Sequence, residues 1–247
     1  MRGVIPADQP DCFDDSVLVG FSSKNNGTVL DRAIGVHDGS VVSNRTRICD
    51  ALGINYGDVV FQRIIYSPDA TYDLLAEVDA RSTTKHTSEV VADTLFTEVP
   101  GVGLLLPVAD CIATVVYDPV GKRIALLHLG RHSTLTGLVA KTVRHFEARG
   151  SKVSDLVVWM SPSAQRETYK LEYFDHKDDL GWRQFCDVRI DGIYIDMQGY
   201  NCQQFIDNGV ATEHISISPV NTMTDDDYFS HAAGDIHGRM AIVAMIR

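Results

Sequence analysis

Cys111 and His128 are the two residues whose types and spacing most invite chemistry, because a turn lies between them. Asp118-Pro119-Val120-Gly121 has the residue order of a type I turn, with aspartate first, proline second and glycine fourth. If Asp118 and Gly121 face each other, an antiparallel hairpin in that register sets Cys111 opposite His128, with Cβ atoms about 5 Å apart. A bulge at Gly121 would move the register by one residue. A thiolate and an imidazole held that close can share a metal ion or act as nucleophile and base. There is also a plainer reading. Cysteine is among the most buried residue types, and a histidine at a strand end is commonly only hydrogen bonded.

The elements that must position this pair are legible on either side of it. Runs rich in Val, Ile, Leu and Tyr, bounded by turn residues, predict strands over 17–23, 58–66, 102–109, 112–117, 123–128, 155–160, 192–196, 214–220 and 239–246. Three helices are expected. One is capped by Ser40 and stops at Gly53, one is capped by Ser133 or Thr134 and runs to Gly150, and one is capped by Asp196 and ends before Gly209. In the second, Leu135, Leu138, Val139, Val143 and Phe146 share a face. Its start follows His128 after only Leu129-Gly130-Arg131-His132, so Arg131 and the free backbone N–H groups there would attract an anion such as phosphate. Strands cluster between helices without strict alternation, which predicts an α+β fold: a single domain over residues 1–247, with mixed sheets flanked by helices. The polar run 79–89 reads as an exposed loop.

Composition narrows the partners. A net charge of −11 argues against a general nucleic-acid or anionic-membrane binder, since both need a basic face. No apolar run reaches the roughly 18 residues of a membrane helix, and the first residues lack a signal-peptide core. The five scattered cysteines form no C-x-x-C pair, so a reducing cytoplasm is the expected setting and a disulfide framework is not. No dinucleotide or P-loop fingerprint is present, and the carboxylates of 224–229 lack the alternating spacing of a calcium loop.

The segment 91–111, ending in Ala109-Asp110-Cys111, followed by Tyr117-Asp118-Pro119 and His128-Leu129-Gly130, resembles the laccase-domain family. Members of that family have been called multicopper polyphenol oxidoreductases and zinc-dependent purine nucleoside phosphorylases. Residues 17–27, 43–48, 194–210 and 227–246 resemble its other segments in order and spacing. The resemblance implies zinc held by the cysteine and two histidines. It also implies phosphorolysis of adenosine or inosine to a free base and ribose 1-phosphate, with adenosine deamination as a further activity.

Cys111 and His128 match two of the implied ligands. The family's other histidine lies in Gln-Val-His-Gly, and here that stretch is Gln62-Arg63-Ile64-Ile65, so Ile64 stands where a ligand would be. His132 is the tentative third ligand, with His231 and His86 as further candidates. By the same resemblance Asp110 orients His128 or accepts a proton. Lys24, Arg131 and Ser230 face phosphate, and Asn201 or Gln203 can reach a purine edge. Trp-Arg-Gly becomes Arg131-His132-Ser133 and Phe-Ser-Tyr-Arg-Arg becomes residues 229–233, Phe-Ser-His-Ala-Ala, so arginines are missing where the pattern wants them. Two other readings stand beside the zinc enzyme: a metal-free Cys–His hydrolase or deamidase, and an inactive homologue that binds a nucleoside or a partner. Blue-copper chemistry is weaker, because no Cys with two His and a Met is legible.

Overall fold

The computed structural model describes residues 8–30 and 39–247. Alternation along single strands builds its layers. In the strand β6, Gly103–Val108, Leu104 and Leu106 enter one core while Leu105 enters another. In β7, Ile112–Asp118, Val115 and Val116 part in the same way. A strand with both faces apolar must be covered on both sides, and here each is.

The first sheet orders β1 (Val17–Phe21), β14 (Met240–Ile246), β6, β2 (Val59–Arg63) and β4 (Val90–Val91). The second orders β13 (Ile215–Ile217), β9 (Val157–Met160), β7, β8 (Arg123–Leu129), β5 (Thr94–Thr97) and β3 (Leu75–Glu77). Both are mixed: β2 runs parallel to β6, and β13 to β9, among antiparallel neighbours. Their inner faces meet in a core that includes Phe21, Val60, Leu106, Val115, Leu126 and Ile242. Helix α1 (Gly39–Ala51) covers the outer face of the first sheet through Ile48 and Cys49. Helices α3 (Leu138–Ala148) and α4 (Met197–Asp207) cover that of the second through Val139, Phe146 and Phe205. A small third sheet, β10 (Lys170–Leu171), β12 (Gly192–Ile195) and β11 (Cys186–Arg189), lies beside them. This is the α+β, mixed-sheet fold read from the pattern.

Local chemistry changes several of the expected details. The hairpin register is two residues off the expected one: Asp118 pairs with Arg123 and Ala113 with His128. The turn therefore spans four residues. Asp118 accepts hydrogen bonds from the N–H groups of Val120 (2.9 Å) and Gly121 (2.8 Å), and Lys122 takes the left-handed conformation at φ 53° to close it. The helix expected from Ser133 or Thr134 is two helices. Gly130 caps α2 (Arg131–Leu135), Gly137 breaks it at φ 75°, and α3 follows. Ser40 lies inside α1 rather than before it. Asp196 does cap α4, its carboxylate accepting from Gly199 N–H at 2.7 Å. The 79–89 segment is tied down: Thr84 N–H donates to Val59 O at 2.8 Å, and Thr83 is buried.

Candidate active site

In the observed register Cys111 lies one residue before β7, level with Gly130, and His128 sits two residues from Gly130 on the same face. The side chains are thus diagonal neighbours rather than opposite ones. A Cβ built on Gly130 would stand 3.1 Å from Cys111 Sγ, 3.2 Å from His128 Cε1 and 3.6 Å from His128 Nε2. The missing side chain of Gly130 is the space in which thiol and imidazole meet. Ser133 fixes this corner from below, because its hydroxyl donates to His128 O at 2.7 Å and accepts from Gly130 N–H at 2.9 Å.

The pair opens into a cavity of about 620 Å³. That is within the range of small-molecule sites, roughly 300–1,000 Å³. Its wall includes Arg63 at the end of β2, Arg131 at the start of α2, and Arg239 just before β14. Tyr66, Tyr72 and Tyr169 supply aromatic wall, and Ile64 lies among them. Arg63 and Arg239 answer part of the arginine deficit in the sequence. Arg239 lies in the 227–246 segment that resembles the family, whereas Arg63, at a strand end, carries no signal beyond a solvated charge. The tyrosines were scattered along the chain and converge only in three dimensions.

Electrostatics around the pair follow from these neighbours. Burial pushes the Tyr169 phenol above its ordinary value. The Cys111 and Asp110 charges act the same way, and Arg131 opposes them. His132 is held below its usual range by desolvation and then by the Arg131 charge, which keeps its ring neutral. That ring stacks on Tyr72, with centroids 4.5 Å apart and planes 23° apart. The hydroxyl of Tyr66 is 3.3 Å from His128 Nε2. Behind the arginines, buried Arg45 stacks on the Phe61 ring at 3.6 Å and donates to Val29 O at 2.8 Å.

The other expected site residues divide between the cavity and elsewhere. Asp110 lines it at φ 66°, and its two carboxylate oxygens accept from Thr222 Oγ1 and from Ala232 N–H, each at 2.8 Å. It pins the chain near 222 and 232 to the mouth of the hairpin. His231 lies on the exposed rim of that wall, while His86 sits in the 79–89 loop. Lys24 pairs with Asp235 at 2.9 Å and is not part of the cavity wall. Ser230 is buried and accepts from Ala233 N–H at 3.0 Å, also off the wall. Asn201 is buried, donating to Thr134 Oγ1 and Met197 O, and half-buried Gln203 donates to Asp207. With five residues, α2 is too short to carry a strong dipole, so the anion attraction expected of its start rests on the Arg131 side chain.

The donors can be tested against zinc. A catalytic zinc takes three protein ligands and leaves one position open. Among the described residues, no three His, Cys, Asp or Glu side chains are grouped to hold a metal ion. Cys111 and His128 are two donors, Ile64 lines the wall as hydrocarbon, and His132 is stacked against Tyr72. The donor set among the described residues does not fit the zinc centre that the resemblance implies.

Two facing mixed sheets clad by helices, with a Cys–His pair at a hairpin mouth beside an arginine-bearing cavity, define an α+β protein with a candidate small-molecule site. The chain belongs to the family described as multi-copper polyphenol oxidoreductase laccase, whose model matches residues 19–247. It is 27% identical over 222 residues to a purine nucleoside phosphorylase of Corynebacterium glutamicum, covering 86% of this chain and 84% of that one. It is also 27% identical to purine nucleoside phosphorylase YlmD of Bacillus subtilis, covering 87% and 83%. In fold it resembles a hypothetical protein YfiH of Bacillus licheniformis (TM-score 0.82, 23% identity, 94% of each chain). It likewise resembles YlmD of Geobacillus stearothermophilus (TM-score 0.81, 23% identity, 96% of this chain and 94% of that one).

Proposed function

We propose that the chain cleaves purine nucleosides with inorganic phosphate, taking adenosine or inosine to the free base and ribose 1-phosphate. The observation that carries this reading is the convergence of Cys111, His128 and three arginines on one cavity of about 620 Å³. The names of the relatives support it. In the reaction a phosphate oxygen forms a bond to C1′ of the ribose as the C1′–N9 bond breaks. The electron pair goes to the purine, which takes a proton from protonated His128. Arg131, with Arg63 or Arg239, offsets the phosphate charge, and the tyrosines supply a face for the base. Asp110 keeps the 222 and 232 segments against the site. Because the donors do not fit zinc, no step is assigned to a metal.

Purified protein incubated with inosine or adenosine, with phosphate and a chelator, tests this. Phosphate-dependent appearance of the free base and ribose 1-phosphate, lost in His128→Asn, is the expected result. Base release that ignores phosphate, or none at all, overturns it. All five cysteines are free, which supports a compartment that keeps thiols reduced, and we assign the protein to the cytoplasm. Among the described residues no helix is long and apolar enough to cross a membrane.

A second reading draws on the closeness of Cys111 and His128 across Gly130, the geometry of a thiol nucleophile with its base. Hydrolysis or deamidation by this pair would leave Cys111 open to iodoacetamide, with labelling and loss of activity in step. Adenosine deamination is separated from phosphorolysis by the release of ammonia.

A further inference from the structure

We propose that Tyr66 has taken the place of a metal at His128, so that the site works as a Cys–His–Tyr cluster without a bound cation. The inference rests on the reading of this cavity as the active site, and it concerns how His128 is held there.

Two residues, two positions apart in the chain, carry it. Ile64 stands in the stretch where the resemblance calls for a ligand histidine. Its side chain lines the cavity and packs, like Cys111, against the core between the sheets. A hydrocarbon thus lines the cavity at the position where the resemblance calls for the third ligand. From the same strand end, Tyr66 reaches over to place its hydroxyl 3.3 Å from His128 Nε2, with the rings edge to face at 6.2 Å and 88°. A nitrogen that binds a metal must offer its lone pair. In this arrangement that direction is met by a phenolic oxygen, which donates to the nitrogen or accepts its proton according to the tautomer.

The tyrosine is itself braced. Tyr66 lies 6.3 Å from Tyr72, whose hydroxyl donates to Ser67 O at 3.1 Å and whose carbonyl accepts from Thr136 Oγ1 at 3.0 Å. Tyr72 in turn stacks on His132. The loop between β2 and β3 therefore lays an aromatic bracket over both histidines of the hairpin end, anchored to the segment that joins α2 and α3. With Cys111 and His128 the donors brought together among the described residues, the phenol at 3.3 Å sets the imidazole's orientation. Tyr66 is a positioning residue in this scheme.

Chelator-treated wild-type protein, Ile64→His and Cys111→Ala are each titrated with zinc chloride by calorimetry. Metal bound after dialysis is counted by mass spectrometry. The expected result is no stoichiometric zinc on the wild type and a single zinc per chain on Ile64→His. One zinc per wild-type chain, lost in Cys111→Ala, overturns the proposal. A second readout does not depend on whether Ile64→His folds: the ring-nitrogen signals of ¹⁵N-histidine-labelled protein at fixed pH. Tyr66→Phe is expected to move the Nε2 signal of His128 by several ppm, and an unmoved signal means that the phenol only fills space and sinks the idea. Base release assayed on the same samples judges the reaction separately. Activity from a wild type that does hold zinc would refute this inference and leave the phosphorylase reading standing. A metal-free, inactive wild type with a shifted His128 signal would do the reverse.

Discussion

Gly130 and Cys111 are so close that a single added methyl on the glycine would stand 3.1 Å from the cysteine sulfur. The backbone at Gly130 is ordinary extended chain (φ −97°), so an alanine is not strained there. Gly130→Ala should therefore keep its fold, with Tm changed by a few degrees at most, while the methyl pushes Sγ and the imidazole apart. With a cavity beside it for the neighbours to give into, the overpacking costs about 1 kcal/mol, the low end for such changes, or about 2–4 °C in Tm. A fall of tenfold or more in kcat with a nearly unchanged melting curve is the expected outcome, and full activity would show that the gap is not used.

His128 is 5% exposed and Cys111 is half-buried, and both border the cavity. His128→Asn should lower kcat by roughly 10²–10⁴-fold, the usual contribution of a general acid. Cys111→Ala separates the two chemistries. It should spare much of the activity if the thiol only lines the site, and abolish it if the thiol is the nucleophile. Steady-state kinetics with intact-mass control of folding decide this.

Arg131 is the cation nearest the hairpin end on α2. Arg131→Ala should raise KM for phosphate by roughly tenfold to a hundredfold, the equivalent of about 1.5–3 kcal/mol for a charged hydrogen bond. KM for the nucleoside should move far less. An equal rise in both would place the residue on the base or sugar instead.

The Asp110 carboxylate holds Thr222 and Ala232 from a left-handed backbone position at φ 66°. Asp110→Ala removes both bonds and places alanine where it pays for φ, a loss of about 2–4 kcal/mol in all. Asp110→Gly relieves the backbone strain but not the loss of the carboxylate. Chemical denaturation should rank wild type above Gly above Ala, and hydrogen exchange should rise around residues 222 and 232. Equal stability of the two variants would mean that the strain term is negligible.

Burial raises the Cys49 thiol and the Tyr228 phenol, each to about 12, from ordinary values of 9.0 and 10.0. Both groups are kept protonated by the fold. Above pH 9 the unfolded chain releases protons that the folded chain retains, so stability is full below pH 9 and declines as pH rises toward 12. Denaturation midpoints at pH 8, 9.5 and 11 should fall in that order, with a shallower slope in Cys49→Val. A flat profile would contradict the assignment. Cys49 should also resist alkylation in the native state, unlike the partly exposed cysteines.

By itself, the sequence determined what depends on neighbours along the chain. Near-continuous apolar runs in 103–108 and 112–118 require two covered faces, and the helix face of Leu138, Val139, Val143 and Phe146 supplies a cover, so the layered α+β fold is readable locally. The short strands β3, β4, β5, β10 and β11 were not, since segments of two to four residues are too short to carry a period. Proximity of Cys111 and His128 was also local, because a hairpin joins them. Its register was not: the side chain of Asp118, bonding to Val120 and Gly121, chose a four-residue turn that residue order alone does not distinguish from a two-residue one. Tertiary structure alone decided the contents of the cavity. Arg63, Tyr66 and Tyr72 of one stretch meet Tyr169 and Arg239 of two others because two sheets pack face to face. Lys24 and Ser230, near the right motifs in sequence, are drawn off the wall by Asp235 and Ala233. Contacts between residues far apart in the chain are set by packing and pairing energies that no local pattern encodes, and the site is made almost entirely of such contacts.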